Sequence, residues 1–456
     1  MQSITLDWIK QAVDGRWLTE GSATVSEVCT DTRKIRPGCL FVALKGERFD
    51  GNDFANEALA QGAACVLVSR EMALDGPAIW VPDTRLAFGT LSAAYRAQFS
   101  PVVVGVTGSV GKTSTKEMIW TVMNHHFRTM KTEGNFNNDI GLPHTLFRLE
   151  PEDRGAVIEM GMSARGEISY LTKLCRPTMG VITNIGVSHL ENLKTRENIL
   201  KAKLEILDGM APDAPLFLNA DNDMLAKAIP TLGDRVVTFG IEQPADLTAR
   251  AIQTGESDLS FEIVEDGKAY PAVLPVLGVH NVYNALAAFG IGRAIGMTPE
   301  EICEAFADYQ NAGLRQKLME SNGVRIMADC YNASPDSMRS SLSVMGTIAC
   351  TGKRYAVLGD MLELGEQTKE MHYEVGRMAA QSGVDAVFGF GPLAEEICRG
   401  AKDAGIAAHH FTDVDALCEA LSDTLQTGDA VGFKASRGMR LERVIQKLFP
   451  DTGSEH

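Results

Sequence analysis

The chain has 456 residues, 45% of them hydrophobic and 22% charged, and a net charge of −16. That length exceeds what one hydrophobic core supports and implies roughly two to four domains. The balance is that of a soluble globular protein, and an acidic chain without a basic cluster argues against nucleic acid or an anionic membrane surface as a partner. The nine cysteines are scattered, odd in number and without a CxxC pair. Reduced thiols in a cytosolic protein are expected, with neither a disulfide framework nor a zinc site. The opening residues MQSITLDWIKQAV lack a basic start and an apolar core, and no apolar run approaches membrane-spanning length. A cytoplasmic protein with no membrane insertion is therefore expected.

Residues 1–98 read as a small α/β domain. Apolar strands are predicted at 39–44 and 64–68, with a helix at 53–61 that stops at Gly62. The polar loop 45–51 and the run Asp31-Thr32-Arg33 lie where such domains hold ligands, or are simply solvated loops.

Residues 99–313 read as a nucleotide-binding domain. Val102, Val103 and Val104 predict a buried parallel strand, and Met118, Ile119, Val122 and Met123 recur at helical spacing. Between them stands Thr107-Gly108-Ser109-Val110-Gly111-Lys112-Thr113-Ser114. Strand, glycine turn, Lys-Thr and helix form the phosphate-cradling pattern. Glycines let backbone N–H groups close on phosphate oxygens, Lys112 reaches the outer phosphates, and Thr113 offers a hydroxyl to Mg²⁺. The loop is shorter than the usual form, which would have glycine where Val106 stands. The plainer alternative is a tight turn with an incidental lysine.

Downstream, three asparagines (Asn135, Asn137, Asn138) make either a surface turn or amide contacts for a polar ligand. Glu159 ends a predicted strand at 156–159, and His189 follows another at 180–184. Both strand ends face the crevice of an open α/β sheet, where a carboxylate and an imidazole can serve Mg²⁺. Residues 198–207 predict a helix carrying Lys201, Lys203 and Glu205, whose lysines read equally as a solvated face. Residues 236–274 alternate and suggest a small antiparallel region; Asn281 and Asn284 share one face at the start of an alanine-rich helix.

Residues 314–456 read as a third α/β domain with a parallel sheet, its strands predicted at 324–328, 355–358, 386–390 and 430–433. Three motifs follow strands: Asp329-Cys330-Tyr331-Asn332, Gly359-Asp360-Met361-Leu362-Glu363-Leu364-Gly365, and Lys434-Ala435-Ser436-Arg437.

These motifs together resemble the Mur ligases, the ATP-dependent amide-forming enzymes of peptidoglycan precursor synthesis. The resemblance covers nearly the whole chain. It rests on TGSVGKTS, DTRKIRPGCLFVALKGERFDGNDF, GNFNNDIGLP, DCYNASPDSM and LGDMLELG. The shortened phosphate loop is the family's own form. Cys330 and Ser334 replace a serine and an asparagine of its usual second motif.

The resemblance implies three domains: a small UDP-binding domain (1–98), a central phosphate-loop ATPase domain (99–313) and a Rossmann-like C-terminal domain (314–456). It implies that Gly108, Ser109, Val110, Gly111, Lys112, Thr113 and Ser114 hold ATP phosphates, with Asn281 at adenine and Arg315 and Asp329 reaching the nucleotide. Two Mg²⁺ sites are implied, served by Thr113 and Glu159, and by His189 and Lys203 as a carbamate. Lys112, Glu159, His189 and Lys203 are the implied catalytic set. Thr32, Arg33, Lys45 and Gly46 would sit near the UDP end of a UDP-N-acetylmuramoyl-tripeptide. Asn135, Asn137 and Asn138 would lie near its peptide, with Asn332, Lys434, Ser436 and Arg437 at the reaction centre. The second substrate implied is D-alanyl-D-alanine, and a monomer is expected. Closure would hinge near residues 98–101 and 311–315.

Two rivals remain at this stage: a ligase of the same family that adds the third peptide residue, and a non-catalytic nucleotide-dependent binder. The DCYNASP and GDMLELG motifs speak against the first, and Glu159, His189 and Lys203 against the second. Lys112→Ala is expected to leave folding intact by circular dichroism and to lower turnover by orders of magnitude; turnover like that of the unmodified chain would refute the phosphate-loop assignment.

Overall fold

A computed structural model describes residues 1–311 and 313–452. Ala312, inside the second predicted hinge, and the last four residues of the third predicted domain lie outside the described residues. The chain is mixed α/β and packs as two compact units. One comprises Met1–Thr107, Met123–Val181 and Leu204–Pro215, the other Gly108–Val122, Ile182–Lys203 and Leu216–His456. The predicted central domain thus contributes residues to both.

In the first unit a five-stranded sheet runs in the order Arg16–Thr19, Ala78–Trp80, Cys65–Val68, Leu40–Val42, Val28–Cys29. Only its first pair is antiparallel. Cys65, Val66, Leu67 and Val68 are all buried, as strands covered on both faces must be. The helix predicted at 53–61 divides into a 3₁₀ turn, Gly51–Phe54, and an α-helix, Ala55–Ala60. Gly62 has φ +102°, the left-handed stop that its residue type signalled. Val102–Thr107 continues three residues beyond the predicted strand and pairs in parallel with Gly155–Glu159, which pairs with Thr129–Lys131.

In the second unit, Leu216–Asn219 pairs in parallel with Val236–Gly240, and that strand with Leu247–Thr254. The antiparallel region predicted from 236 therefore begins later, where Leu247–Thr254 pairs with Leu259–Glu265 and that strand with Lys268–Leu274. For the first of these parallel pairs the reason is the helix Asp223–Ala228, a crossover that returns the chain in the same direction. The C-terminal sheet runs Lys317–Ser321, Val324–Asp329, Ala430–Lys434, Arg354–Gly359, Ala386–Phe390, Ala407–Phe411. It is parallel except for the first pair, a hairpin turned by Asn322 (φ +53°) and Gly323 (φ +72°). Alternate residues face opposite cores. Ile326 and Ala328 pack with Leu417, Leu421 and Val444, whereas Met327 packs with Met338, Leu342, Val375 and Ile397.

All nine cysteines are free thiols. Among the described residues no helix is long and apolar enough to cross a membrane. The helices Thr368–Gln381 and Ala394–Asp403 meet closely at two glycines. A methyl group on Gly376 would lie 2.0 Å from the Ile397 carbonyl oxygen, and one on Gly400 2.0 Å from that of Tyr373. Backbone cannot yield as a flexible side chain would. Gly376→Ala is therefore expected to lower unfolding free energy by about 1–3 kcal/mol, measured by urea denaturation, because overpacking forces the helices apart.

Candidate active site

In the second unit the helix Lys112–His126 starts directly after Gly111, so its N-terminal N–H groups and partial positive charge face the glycine turn. Gly108 (φ +153°) and Gly111 (φ +82°) both take conformations that side chains disfavour. A Cβ on Gly108 would lie 1.9 Å from Thr183 Oγ1. The neighbouring loop holds the turn in shape. Asn184 Oδ1 accepts from Ser109 N (3.1 Å) and Val110 N (2.9 Å). Thr183 Oγ1 donates to the Val110 carbonyl at 2.6 Å, and Gly186 N donates to Ser109 Oγ at 2.9 Å. The predicted strand 180–184 ends at Ile182, because Thr183 and Asn184 bind the phosphate loop instead. Lys112 Nζ donates to Gly108 O (2.8 Å) and Ser109 O (3.3 Å), arching over its own loop.

Lys203 is 1% exposed on the helix Arg196–Leu204. The solvated-face reading of this residue is thereby excluded. Burial first, and the Lys112 charge second, hold its ammonium well below the usual lysine range. An unpaired ammonium loses several kcal/mol of hydration on burial, so such a group sheds its proton or is modified. The neutral amine is also the form that reacts with CO₂, which agrees with the implied carbamate. His189 lies nearby in charge terms. Burial, then Lys112, lower its basicity, while Glu363 opposes them. Its Nδ1 is 3.0 Å from Glu363 Oε2, an ion-pair separation outside hydrogen-bond alignment.

A second cluster lies around the helix His280–Ala294. Thr115 Oγ1 donates to Asn284 Oδ1 (2.7 Å), Asn284 Nδ2 to Asn281 Oδ1 (3.0 Å), and Asn281 Nδ2 to the Leu277 carbonyl (2.8 Å). Asn281, expected at adenine, is thus buried with both amide atoms engaged. His280 is pushed down to about 4 by burial, against the opposing charge of Asp329. Lys434 Nζ lies 2.7 Å from Asp329 Oδ2 and 3.1 Å from the Asn332 carbonyl, both charged groups nearly buried. Arg315 stacks on Tyr331 at 4.1 Å and Arg437 sits 5.9 Å from the same ring. Ser436 Oγ accepts from Leu362 N at 3.0 Å. Ser114 hydrogen-bonds Tyr309, whose burial raises its phenol well above the ordinary range.

In the first unit Glu159 is buried at its strand end and accepts from Asn137 Nδ2 at 2.7 Å. Asn138 Oδ1 accepts from Ile140 N (3.2 Å) and Gly141 N (2.8 Å), shaping the next helix start. Asn135 is exposed. Thr32 and Arg33 lie in a 3₁₀ turn capped by Asp31, and the forked Arg33 guanidinium pulls that carboxyl down to about 2. Lys45 and Asp50 form an isolated antiparallel backbone bridge, and Gly46 N donates to Phe49 O at 3.0 Å.

Mg²⁺ takes oxygen donors and commonly uses one or two carboxylates plus substrate phosphates instead of an all-protein cage. The Thr113 hydroxyl and the Glu159 carboxylate have that chemistry. Among the described residues no group of three or more His, Cys, Asp or Glu comes together as a metal cage. The sequence reading gave no role to Thr183 or Asn184, and named Glu363 and Tyr331 only as members of motifs that follow strands. For the first two the available signal was a polar Thr-Asn pair at the end of an apolar strand.

Comparison with known proteins places three family descriptions along the chain: "Mur ligase family, catalytic domain" at residues 24–125, "Mur ligase middle domain" at 106–292, and "Mur ligase, glutamate ligase domain" at 314–437. The UDP-N-acetylmuramoyl-tripeptide–D-alanyl-D-alanine ligase of Bacillus subtilis is 39% identical over 92% of both chains. That of Escherichia coli is 37% identical over 98% of this chain and 99% of its own. Among solved structures, MurF from Acinetobacter baumannii superposes with a TM-score of 0.92 at 30% identity, covering 98% and 99% of the two chains. MurF ligase from Thermotoga maritima in complex with ADP gives 0.84 at 31% identity, covering 92% and 96%.

Lys203→Ala is expected to abolish nucleotide turnover, with part of it restored by millimolar acetate as a replacement anion. A fully active variant in a coupled ADP assay would show that no anion is needed at this position.

Proposed function

The chain belongs to the Mur ligase family, and from that premise we propose that it joins D-alanyl-D-alanine to the terminal carboxylate of UDP-N-acetylmuramoyl-tripeptide with cleavage of ATP to ADP and phosphate. The observation that carries this reading is the match, over nearly the full length, to relatives bearing that activity in their names. The products would be UDP-N-acetylmuramoyl-pentapeptide, ADP and phosphate.

A carboxylate is a poor electrophile, and an amine does not condense with it in water. The γ-phosphoryl group passes to the tripeptide carboxylate to give an acyl phosphate. The D-alanyl-D-alanine amine then attacks the acyl carbon, the C–O bond to phosphate breaks, and phosphate departs. No side-chain nucleophile is required. Lys112 swings from the Gly108 and Ser109 carbonyls to the phosphoryl oxygens, where its charge offsets the charge that develops in transfer. Backbone N–H groups of the first turn of the helix orient the nucleotide, since those of Ser109 and Val110 are held by Asn184. Thr113 and Glu159 would hold one Mg²⁺, and His189 with carbamylated Lys203 a second; when bound, the ions neutralise phosphate charge. Arg315 and Asp329 serve the nucleotide from the third domain, and Lys434, Ser436, Arg437 and Asn332 bind substrate at the reaction centre. Thr32, Arg33, Lys45 and Gly46 serve the uridine end. Most of the catalysis is positioning, for which oriented intramolecular reactions set a ceiling of about 7–11 kcal/mol.

The domains of this reading are 1–98, 99–313 and 314–456, with a monomeric, cytoplasmic enzyme. The test is phosphate release from ATP with UDP-N-acetylmuramoyl-tripeptide, with and without D-alanyl-D-alanine. Release that requires both substrates is the expected outcome. Release that needs neither, or that a free diamino acid supports instead, would overturn the substrate assignment.

A further inference from the structure

We propose that Glu363 is a positioning residue for His189, presented by a preformed turn of the C-terminal domain, so that the metal-facing imidazole is set only when that turn is docked. The proposal rests on the reading of His189 as a metal neighbour given above.

The motif Leu362-Glu363-Leu364-Gly365 leaves the strand Arg354–Gly359 as a turn held at several points. Met361 N donates to His372 Nε2 at 2.9 Å, and the His372 ring is itself fully buried and held by the Thr368 carbonyl at 2.6 Å. Leu362 N donates to Ser436 Oγ, and Ser436 N to the Asp360 carbonyl at 3.1 Å. Asp360 Oδ1 accepts from Ala394 N at 2.8 Å. The turn is therefore built before anything meets it.

Glu363 then stands at φ +64°, and His189, its partner, at φ +62°. Neither is glycine, and both adopt the left-handed conformation that only a few per cent of such residues take. Strained residues of this kind persist where surrounding contacts over-determine them, and they gather at functional sites. Gly365 lies against the backbone of Glu191, two residues after His189, at 3.3 Å from a would-be Cβ. The meeting of the two segments is thus not a single side-chain touch.

Stabilisation does not account for the pair. The Glu363 side chain is 65% exposed, and a lone ion pair at such a site contributes little. Orientation does account for it. A metal-ligating histidine ordinarily directs its other ring nitrogen at a carboxylate, which fixes the tautomer and turns the ring. Here the carboxylate faces Nδ1, which leaves Nε2 for the metal. Glu363 comes from the third domain and His189 from the central one, so docking of the third domain and readiness of the metal site become one event.

The test uses the full chain with the non-hydrolysable analogue AMPPNP and Mn²⁺, whose binding is followed by electron paramagnetic resonance. Glu363→Gly keeps the left-handed turn and removes the carboxylate; Glu363→Ala removes both. Both are expected to weaken Mn²⁺ binding by about tenfold or more. Glu363→Gln, whose amide oxygen can still face Nδ1, is expected to recover most of it. Glu366→Ala, which removes an equal charge from the same segment, is expected to leave binding unchanged. In ¹⁵N spectra His189 is expected as the Nδ1–H tautomer and to lose that preference in the Gly and Ala variants. Unchanged Mn²⁺ affinity in Glu363→Gly would overturn the proposal, as would equal losses in Glu363→Ala and Glu366→Ala. His189→Ala separates the two levels. If it loses Mn²⁺ while Glu363→Gly does not, only the positioning role fails; if it binds Mn²⁺ normally, the metal reading of His189 fails and the proposal falls with it.

Discussion

The contact between Gly108 and Thr183 leaves no room for a single methyl group, and the site is assembled around it. Two loops from the ends of two strands are locked together there. Asn184 ties down the N–H groups of Ser109 and Val110, Thr183 binds the Val110 carbonyl, and Gly186 binds Ser109. The glycine turn is consequently a fixed cradle and not a flexible flap. A rigid cradle costs no reorganisation when charge develops on a phosphoryl group, which is where preorganised electrostatics act most strongly.

Around that cradle the charges are arranged against ordinary expectation. Lys112, Lys203 and His189 sense one another, and burial depresses both Lys203 and His189. In water such repulsion would be screened; in a buried site it is not. A site of this kind is poised for anions. Phosphate oxygens, and a carbamate on Lys203, would each convert repulsion into attraction. The acidic net charge of the chain is no obstacle, because the local field near the glycine turn is set by Lys112 and the helix N-terminus and not by the distant surface charge.

Within the same compact unit, residues C-terminal to 313 meet this region through short turns. Lys434 and Asp329 form a nearly buried pair beside His280, and the Leu362–Gly365 turn lies against His189 and Glu191. Breaking a buried pair by removing one partner costs far more than the pair contributes to stability, so Lys434 and Asp329 specify an arrangement more than they strengthen it.

Much of this was legible in the sequence. The glycine turn with its flanking strand and helix, and the alternating strands and helices after residue 314, were readable because apolar runs and glycines carry local information about the backbone. The hairpin at Asn322-Gly323 was not read, because its first strand, Lys317–Ser321, alternates exposed and partly buried residues and lacks a hydrophobic signature. Other features depend on residues distant in the chain. Whether Lys203 is buried or solvated, whether 236–240 runs parallel or antiparallel, and which groups Asn137, Asn281 and Ser436 engage are decided by packing across tens to hundreds of positions. Periodicity reports which face of an element is apolar, but not what that face meets. The sequence by itself determined the kind of chemistry and the order of the elements; tertiary structure alone decided which polar groups were free to perform it, because burial and hydrogen-bond partnership are properties of neighbours in space.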